Sequence, residues 1–261
     1  MASRISIAQV ELTDGDFAGN LATAREAAAE AGRRGSDLLL LPELWLSGYA
    51  LDKADRLALD PADPRWEAVA DLASRHGQAV AGSVLAREGQ SVRNRLVVHG
   101  TDGTARAHYD KVHLFGQMDE DKFLAPGSDT AIADLGWSRA GLAICYDLRF
   151  PELFRRLARQ GAQMILLAAQ WPHVRTEHWR TLVRARAIEN QLYVLAANRT
   201  GSEGKLKFAG HSMIVDPWGD VLQEAGEAAT LLTVDIDMAR VAEVRESFPV
   251  WKDVRPEVYA T

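Results

Sequence analysis

Apolar runs of strand length alternate with helix-period stretches along the whole chain. Ile5 to Leu12 (ISIAQVEL) reads as a strand. Phe17, Leu21, Ala24, Ala28 and Ala31 then recur every three or four residues, the buried face of a helix that Gly32 and Gly35 help to end. DLLLLPEL is a continuously apolar run stopped by Pro42, as expected of a strand covered on both faces. A second helix is predicted from Trp66 to Arg75, followed by AVAGSVLA and RNRLVVHG as paired strands, the polar strand ARAHYD and the buried strand AGLAICYD. Phe150, Leu153, Phe154 and Leu157 mark one apolar helix face entered through Pro151. MILLAA is a strand, Glu177 to Asn190 a helix, and QLYVLAAN a strand. HSMIVDPWGDVL is a hairpin turning at Asp216-Pro217-Trp218-Gly219, before the strand TLLTVDID and a last helix from Met238 to Glu246. This alternation predicts one α/β domain over residues 1–261, with helices layered on mixed sheet.

Composition narrows the function. With 261 residues, 47% of them hydrophobic, the chain can bury a sizeable core. A net charge of -6 with no basic block argues against nucleic acid or anionic membrane surfaces as partners. The longest stretch free of Asp, Glu, Lys and Arg, Gln160 to Val174, contains glutamines, a proline and a histidine, and is too short for a spanning helix. The N-terminal residues carry Gln9 and Glu11 within a strand pattern and no cleavable apolar core, so no secretory signal is expected. The single cysteine, Cys145, excludes an internal disulfide framework and a multi-cysteine zinc site. A reducing, cytoplasmic setting follows.

In α/β folds, reactive groups gather just past the C-terminal ends of buried strands. Applied here, that rule picks out very few positions. Glu43 follows Leu38–Leu41 and Pro42, Lys111 follows ARAHYD, and Cys145 ends AGLAI before a turn that leads into a helix. A strand–turn–helix junction exposes a nucleophile and aims backbone N–H groups at its substrate. Each residue alone has an ordinary structural reading: a core thiol, a solvated carboxylate and a lysine snorkelling to water. His113, His173, His178 and His211 share no metal-ligand spacing, and no glycine-rich phosphate loop is present, so neither metal nor organic cofactor is expected.

Taken together, LLLLPELWLSGY around Glu43, DKVHLF around Lys111 and AICYDLRFPELFR around Cys145 resemble the nitrilase (carbon–nitrogen hydrolase) superfamily, in that order along the chain. The resemblance continues through HWRTLVRARAIENQLYVLAANRTG and HSMIVDPWGDVL. It therefore runs from Ile5 to about Tyr259, and CYDLRFPE, RARAIENQ and the DPWG hairpin place it near the omega-amidase-like branch. It implies a four-layer α-β-β-α sandwich, a Glu–Lys–Cys triad, and a second carboxylate in FGQMDEDKF, where Glu120 is the candidate and Asp119 its neighbour. It also implies a homodimer or larger homo-oligomer, with the helix after Cys145 and the C-terminal segment as contact candidates.

These residue types suit amide hydrolysis to a carboxylic acid and ammonia through a thioester. A carboxylate (Glu43) takes the thiol proton, and an ammonium (Lys111) with the backbone N–H of Tyr146 holds the oxyanion. The carboxylate then serves the leaving amine and the incoming water in turn. Glu120 orients Lys111 or the substrate. In the omega-amidase-like branch the substrate is a small amide with a distal carboxylate, which calls for an arginine: Arg149 and Arg175 are the candidates, with Arg199 and Lys205 next, and Trp171 and Phe115 as pocket walls. The word AAQWPH is more tryptophan-rich than the omega-amidase pattern, pointing to a reshaped acyl pocket. A nitrilase acting on a small nitrile, a non-catalytic module on the same fold and a Cys–His thiol protease are the competing readings.

Overall fold

A computed structural model describes residues 2–259. Its strands are β1 (Ala2–Gln9), β2 (Leu38–Leu40), β3 (Ala79–Glu88), β4 (Ser91–His99), β5 (Ala105–Asp110), β6 (Ile132–Asp134), β7 (Arg139–Ile144), β8 (Met164–Ala169), β9 (Tyr193–Asn198), β10 (Ser202–Glu203), β11 (Leu206–Lys207), β12 (Met213–Val215), β13 (Val221–Glu224) and β14 (Thr230–Asp237). Twelve of them form two six-stranded mixed sheets, ordered β14-β1-β2-β3-β4-β5 and β13-β12-β9-β8-β7-β6. Each sheet has a parallel centre, β1-β2-β3 in one and β7-β8-β9 in the other, flanked by antiparallel strands. β10 and β11 form a separate small hairpin, which the hydrophobic pattern does not announce.

The continuous apolar run at β2 divides by strand alternation. Leu38 and Leu40 face the interior between the sheets, whereas Leu39 and Leu41 face outward beneath helices. That outer layer is α1 (Phe17–Arg33), through Ala24, Ala28 and Ala31, and α3 (Arg65–Ser74), through Val69, Leu72 and Ala73, separated by the single-turn α2 (Ala54–Leu57). The predicted start of α1 is fixed by Asp16, whose side chain accepts from the Gly19 N–H at 3.0 Å. The single-turn helix α4 (Glu120–Phe123) precedes the second sheet. The opposite outer layer is α5 (Pro151–Arg159) and α6 (Thr176–Asn190), which pack Leu153, Phe154 and Leu157 with Trp179, Val183 and Ala187 onto it. Helix, sheet, sheet and helix stack as the expected four-layer sandwich; α7 (Ala239–Ser247) lies where the last helix is predicted, but the short α8 (Pro256–Tyr259) follows it.

Boundaries differ where chemistry intervenes. β7 ends at Ile144 rather than running on through Asp147, because residues Cys145–Arg149 turn into one short 3-10 helix. β1 begins earlier and ends at Gln9, whose side chain bonds the carbonyls of Gly226 and Ala228.

Candidate active site

The C-terminal ends of β2, β5, β7, β8 and β9 open at one end of the sandwich. Lys111, Cys145, Gln170 and Arg199 are each the first residue past their strand, and Glu43 follows β2 by three. The structure brings Glu43, Lys111, Glu120 and Cys145 together, all buried. Lys111 Nζ lies 2.7 Å from Glu43 Oε1 and 2.7 Å from Glu120 Oε1. An ammonium has three protons, so one remains for a third acceptor.

Each carboxylate is held by further donors. Glu43 Oε1 also accepts from Asn94 Nδ2 at 2.8 Å, and Oε2 accepts from the Gln170 N–H at 2.9 Å. Glu120 Oε2 accepts from the Phe115 N–H at 2.6 Å, and Oε1 from the Tyr49 hydroxyl. Asp119, the alternative second carboxylate, points away to an exposed pair with Lys122. It supplies a left-handed turn (φ 61°), a conformation aspartate tolerates better than most residues, and so aims Glu120 inward.

The nucleophile candidate sits at a strained point. Cys145 has φ 43°, outside the regions that non-glycine residues favour. The fully buried Asp147 holds this turn. Its Oδ2 accepts from the Ile144 N–H (2.9 Å) and the Tyr109 hydroxyl (2.8 Å), while Oδ1 meets the His113 N–H (3.1 Å) and Nδ1 (2.7 Å). The turn carrying Cys145 and the loop following Lys111 are thereby tied to one side chain. Tyr146 occupies the first turn of this short helix, where backbone N–H groups have no partner within the helix.

Burial dominates the electrostatics. It pushes the Cys145 thiol well above its ordinary value; the Glu43 carboxylate adds to the rise and the Lys111 ammonium opposes it. Burial likewise holds the Glu43 carboxyl above the usual glutamate range, against the pull of Lys111. Burial alone would favour a neutral Lys111, but the Glu43 and Glu120 carboxylates outweigh it and keep the ammonium above the ordinary lysine value. The Tyr49 phenol, also raised by burial and by Glu120, stays a proton donor.

A small cleft leads to Cys145. Tyr49, Phe115, Met118, Tyr146, Arg149, Gln170, Trp171, Pro172 and Arg175 line it, and its free volume of about 20 Å³ is near that of one water molecule. Arg149 stacks over Trp171 at 4.9 Å and Arg175 over Phe115 at 5.6 Å. Arg175 also bonds Gln117 Oε1 at 2.8 Å, and Arg149 meets His178 Nδ1 at 3.3 Å. Among the described residues neither guanidinium has a carboxylate within ion-pairing distance. Among the described residues no histidine lines the cleft, which leaves the Cys–His reading without its second member.

Two sequence candidates lie elsewhere. Arg199 does not face the cleft: its side chain is fully buried and bonded to Asp14, Gln170 and the Leu12 carbonyl. Lys205 is exposed in the turn between β10 and β11. Asn94, Gln170, Tyr49 and Asp147 were not singled out in the sequence. Gln170 obeys the strand-end rule, and Asn94 occupies an inward phase between Val92 and Leu96, where an apolar residue is expected.

A family model for carbon-nitrogen hydrolases matches residues 4–246. The chain belongs to the carbon-nitrogen hydrolase family, and it is an enzyme acting on C–N bonds other than peptide bonds. It is 40% identical over 256 residues to a 2-oxoglutaramate amidase of Bacillus subtilis (strain 168), covering 98% of each chain. It is 33% identical to the omega-amidase NIT2 of Bos taurus, over 92% of this chain and 91% of that one. A CN-hydrolase superfamily protein of Xanthomonas campestris, whose crystal structure holds an arsenic adduct in its active site, superposes with a TM-score of 0.89 at 35% identity, covering 98% of each chain.

Proposed function

We propose that this enzyme hydrolyses a small amide bearing a distal carboxylate, with Cys145 as nucleophile, Glu43 as base and acid, Lys111 and the Tyr146 N–H as oxyanion donors, and Glu120 orienting Lys111. The Glu43 carboxylate takes the Cys145 proton, and the sulfur forms a bond to the amide carbon as the carbonyl pair moves to oxygen. The free third proton of Lys111 and the Tyr146 N–H meet that oxyanion, an interaction worth ~3–4 kcal/mol per donor. Collapse breaks the C–N bond while Glu43 returns its proton to the departing nitrogen. Ammonia leaves and a thioester remains. Glu43 then deprotonates water, which attacks the thioester carbon, and the C–S bond breaks to restore the thiol and release the acid.

One observation carries the choice of substrate. Arg149 and Arg175 line the cleft with no carboxylate within ion-pairing distance among the described residues, which leaves both guanidiniums available to a substrate carboxylate. The relatives named 2-oxoglutaramate amidase and omega-amidase support the same reading. The arginines have to swing off Trp171 and Phe115 to admit the substrate, since the cleft otherwise holds little more than water. A charge-assisted bidentate pair is worth ~1.5–3 kcal/mol, or about 10–150-fold in kcat/KM. Succinamate and a neutral amide of similar size are compared in wild type, Arg149→Lys and Arg175→Lys. The wild type should prefer succinamate, and at least one lysine variant should lose most of that preference because lysine keeps the charge without the fork. Equal rates on both amides in the wild type would exclude the carboxylate reading while leaving the thiol chemistry standing.

The setting is read as cytoplasmic, which a lone reduced thiol supports; no helix among the described residues is long and apolar enough to cross a membrane. A homodimer is the proposed assembly. Ile188, Trp218 and Phe248 stand exposed around one groove beside α6 and the C-terminal segment, which supports contact there.

A further inference from the structure

Behind the reacting groups, polar side chains close a ring. Gln170 donates its N–H to Glu43 Oε2 at 2.9 Å and its Nε2 to the Glu43 carbonyl at 2.7 Å. Gln170 Oε1 accepts from Arg199 Nη1 at 2.8 Å, and the same Nη1 reaches Asp14 Oδ1 at 3.1 Å. Asp14 Oδ1 accepts from the Tyr49 N–H at 2.8 Å, and the Tyr49 hydroxyl donates to Glu120 Oε1. Lys111 joins Glu120 back to Glu43 and completes the circuit.

Arg199 is its least expected member. The guanidinium has no solvent exposure, stacks over Phe208 at 4.2 Å and leaves its Nε without a partner. Burying a cation is expensive, and an apolar side chain of similar volume would fill the same space at lower cost. What a fork of donors adds is direction: one nitrogen fixes the Gln170 amide and the Asp14 carboxylate together while the other holds the Leu12 carbonyl. The approach of the Tyr49 loop to Asp14 is equally specified. Gly48 has φ +60°, and a Cβ there would fall 2.2 Å from Asp14 Oδ1.

We infer that Arg199 is a positioning residue for the base: by fixing the Gln170 amide it aims the Glu43 carboxylate at Cys145, and through Asp14 and Tyr49 it steadies Glu120 against Lys111. The inference rests on the reading of Glu43 as the base. Arg199 touches no substrate, and its effect passes entirely through neighbours.

A double-mutant cycle tests this with two readouts, steady-state kinetics and the rate of Cys145 alkylation by iodoacetamide. Arg199→Lys keeps a charge but cannot span the three acceptors. With circular dichroism verifying the fold, it should lower kcat about 10–100-fold, the scale of a small displacement of a catalytic group, with KM changed less than about threefold. Alkylation should slow as well. In a Glu43→Gln background, where no base remains to be aimed, Arg199→Lys should slow alkylation no further. The same fractional slowing in both backgrounds, or no slowing in either, would overturn the inference and make Arg199 an ordinary packing residue. If Arg199→Lys does not fold, Gln170→Ala cuts the same link while leaving Arg199 on Asp14 and Leu12, and passes through the same cycle with the same deciding outcomes. Alkylation as fast in Glu43→Gln alone as in wild type would instead remove Glu43 as base, a failure distinct from additivity.

Discussion

Replacing Lys111 by methionine removes a charge from the most enclosed part of the molecule, and the consequence should depend on pH in a definite direction. Lys111 is fully buried between Glu43 and Glu120, 2.7 Å from each. Breaking a buried pair from one side costs about 3–5 kcal/mol. That is a large share of the roughly 5–15 kcal/mol that keeps a domain folded. In the wild type, the ammonium is held above the ordinary lysine value. Its contribution therefore persists on the alkaline side up to the unfolded value of about 10.4, and is lost there only as pH rises through the folded one. In Lys111→Met the Glu43 carboxyl loses its cation and sits further above its unfolded value. A raised carboxyl stays neutral in the folded chain after the unfolded chain has ionised. The variant's deficit is then small below about pH 4 and grows by up to about 1.4 kcal/mol per pH unit while one extra proton is held. The assay is urea unfolding of both proteins at pH 5 and pH 8. At pH 8 the loss corresponds to a fall in Tm of roughly 6–20 °C, at ~2–4 °C per kcal/mol for a chain of this size. Adding Glu120→Gln to the variant should recover part of it. A deficit equal at both pH values would refute the argument, because it would mean that Lys111 contributes packing and not charge compensation.

Two further outcomes follow from the same geometry. One equivalent of iodoacetamide should abolish amide hydrolysis and label Cys145, the only thiol, and Cys145→Ala should be inactive; retained turnover in that variant would remove the nucleophile. The rate should fall on the acid side as pH drops through a value above the usual glutamate range, since Glu43 must be ionised to take the thiol proton and burial holds its carboxyl high. Lys111 adds no alkaline loss below its raised value, and Glu43→Gln should cut kcat at least about 100-fold and abolish the acid limb.

Much of the fold was legible because its signals are periodic. The four leucines Leu38–Leu41 announce a strand covered on both faces, and the structure divides them between two cores. β6, β10 and β11, of two or three residues each, are too short for a period of two to register. Glu43, Lys111 and Cys145 were legible because each ends an apolar or alternating run, where the backbone stops pairing and side chains become free to converge. Glu120 was legible only as one of three adjacent acids; the left-handed turn at Asp119 decides among them, and residue order does not encode that turn openly. Asp147 and Arg199 show the opposite limit. Charged residues are commonly solvated, so their complete burial follows from the packing of β5, β7, β8 and β9, which no local window contains.

Charge balance connects the buried cluster to the cleft in front of it. Glu43 and Glu120 as carboxylates, with one ammonium and a protonated thiol, leave one negative charge in a space closed to water. A substrate arriving with its own carboxylate would add a second, and in a medium of low dielectric the two would repel strongly. Arg149 and Arg175, unpaired by any carboxylate among the described residues, supply two positive charges at the cleft. On the proposed reading, binding of the substrate anion would bring the whole site to neutrality. A neutral amide would leave one guanidinium charge uncompensated in the closing cleft and would have to force both arginines off their aromatic rings without offering them an acceptor. On the proposed reading, a penalty on the neutral amide adds to the attraction for the carboxylate-bearing one.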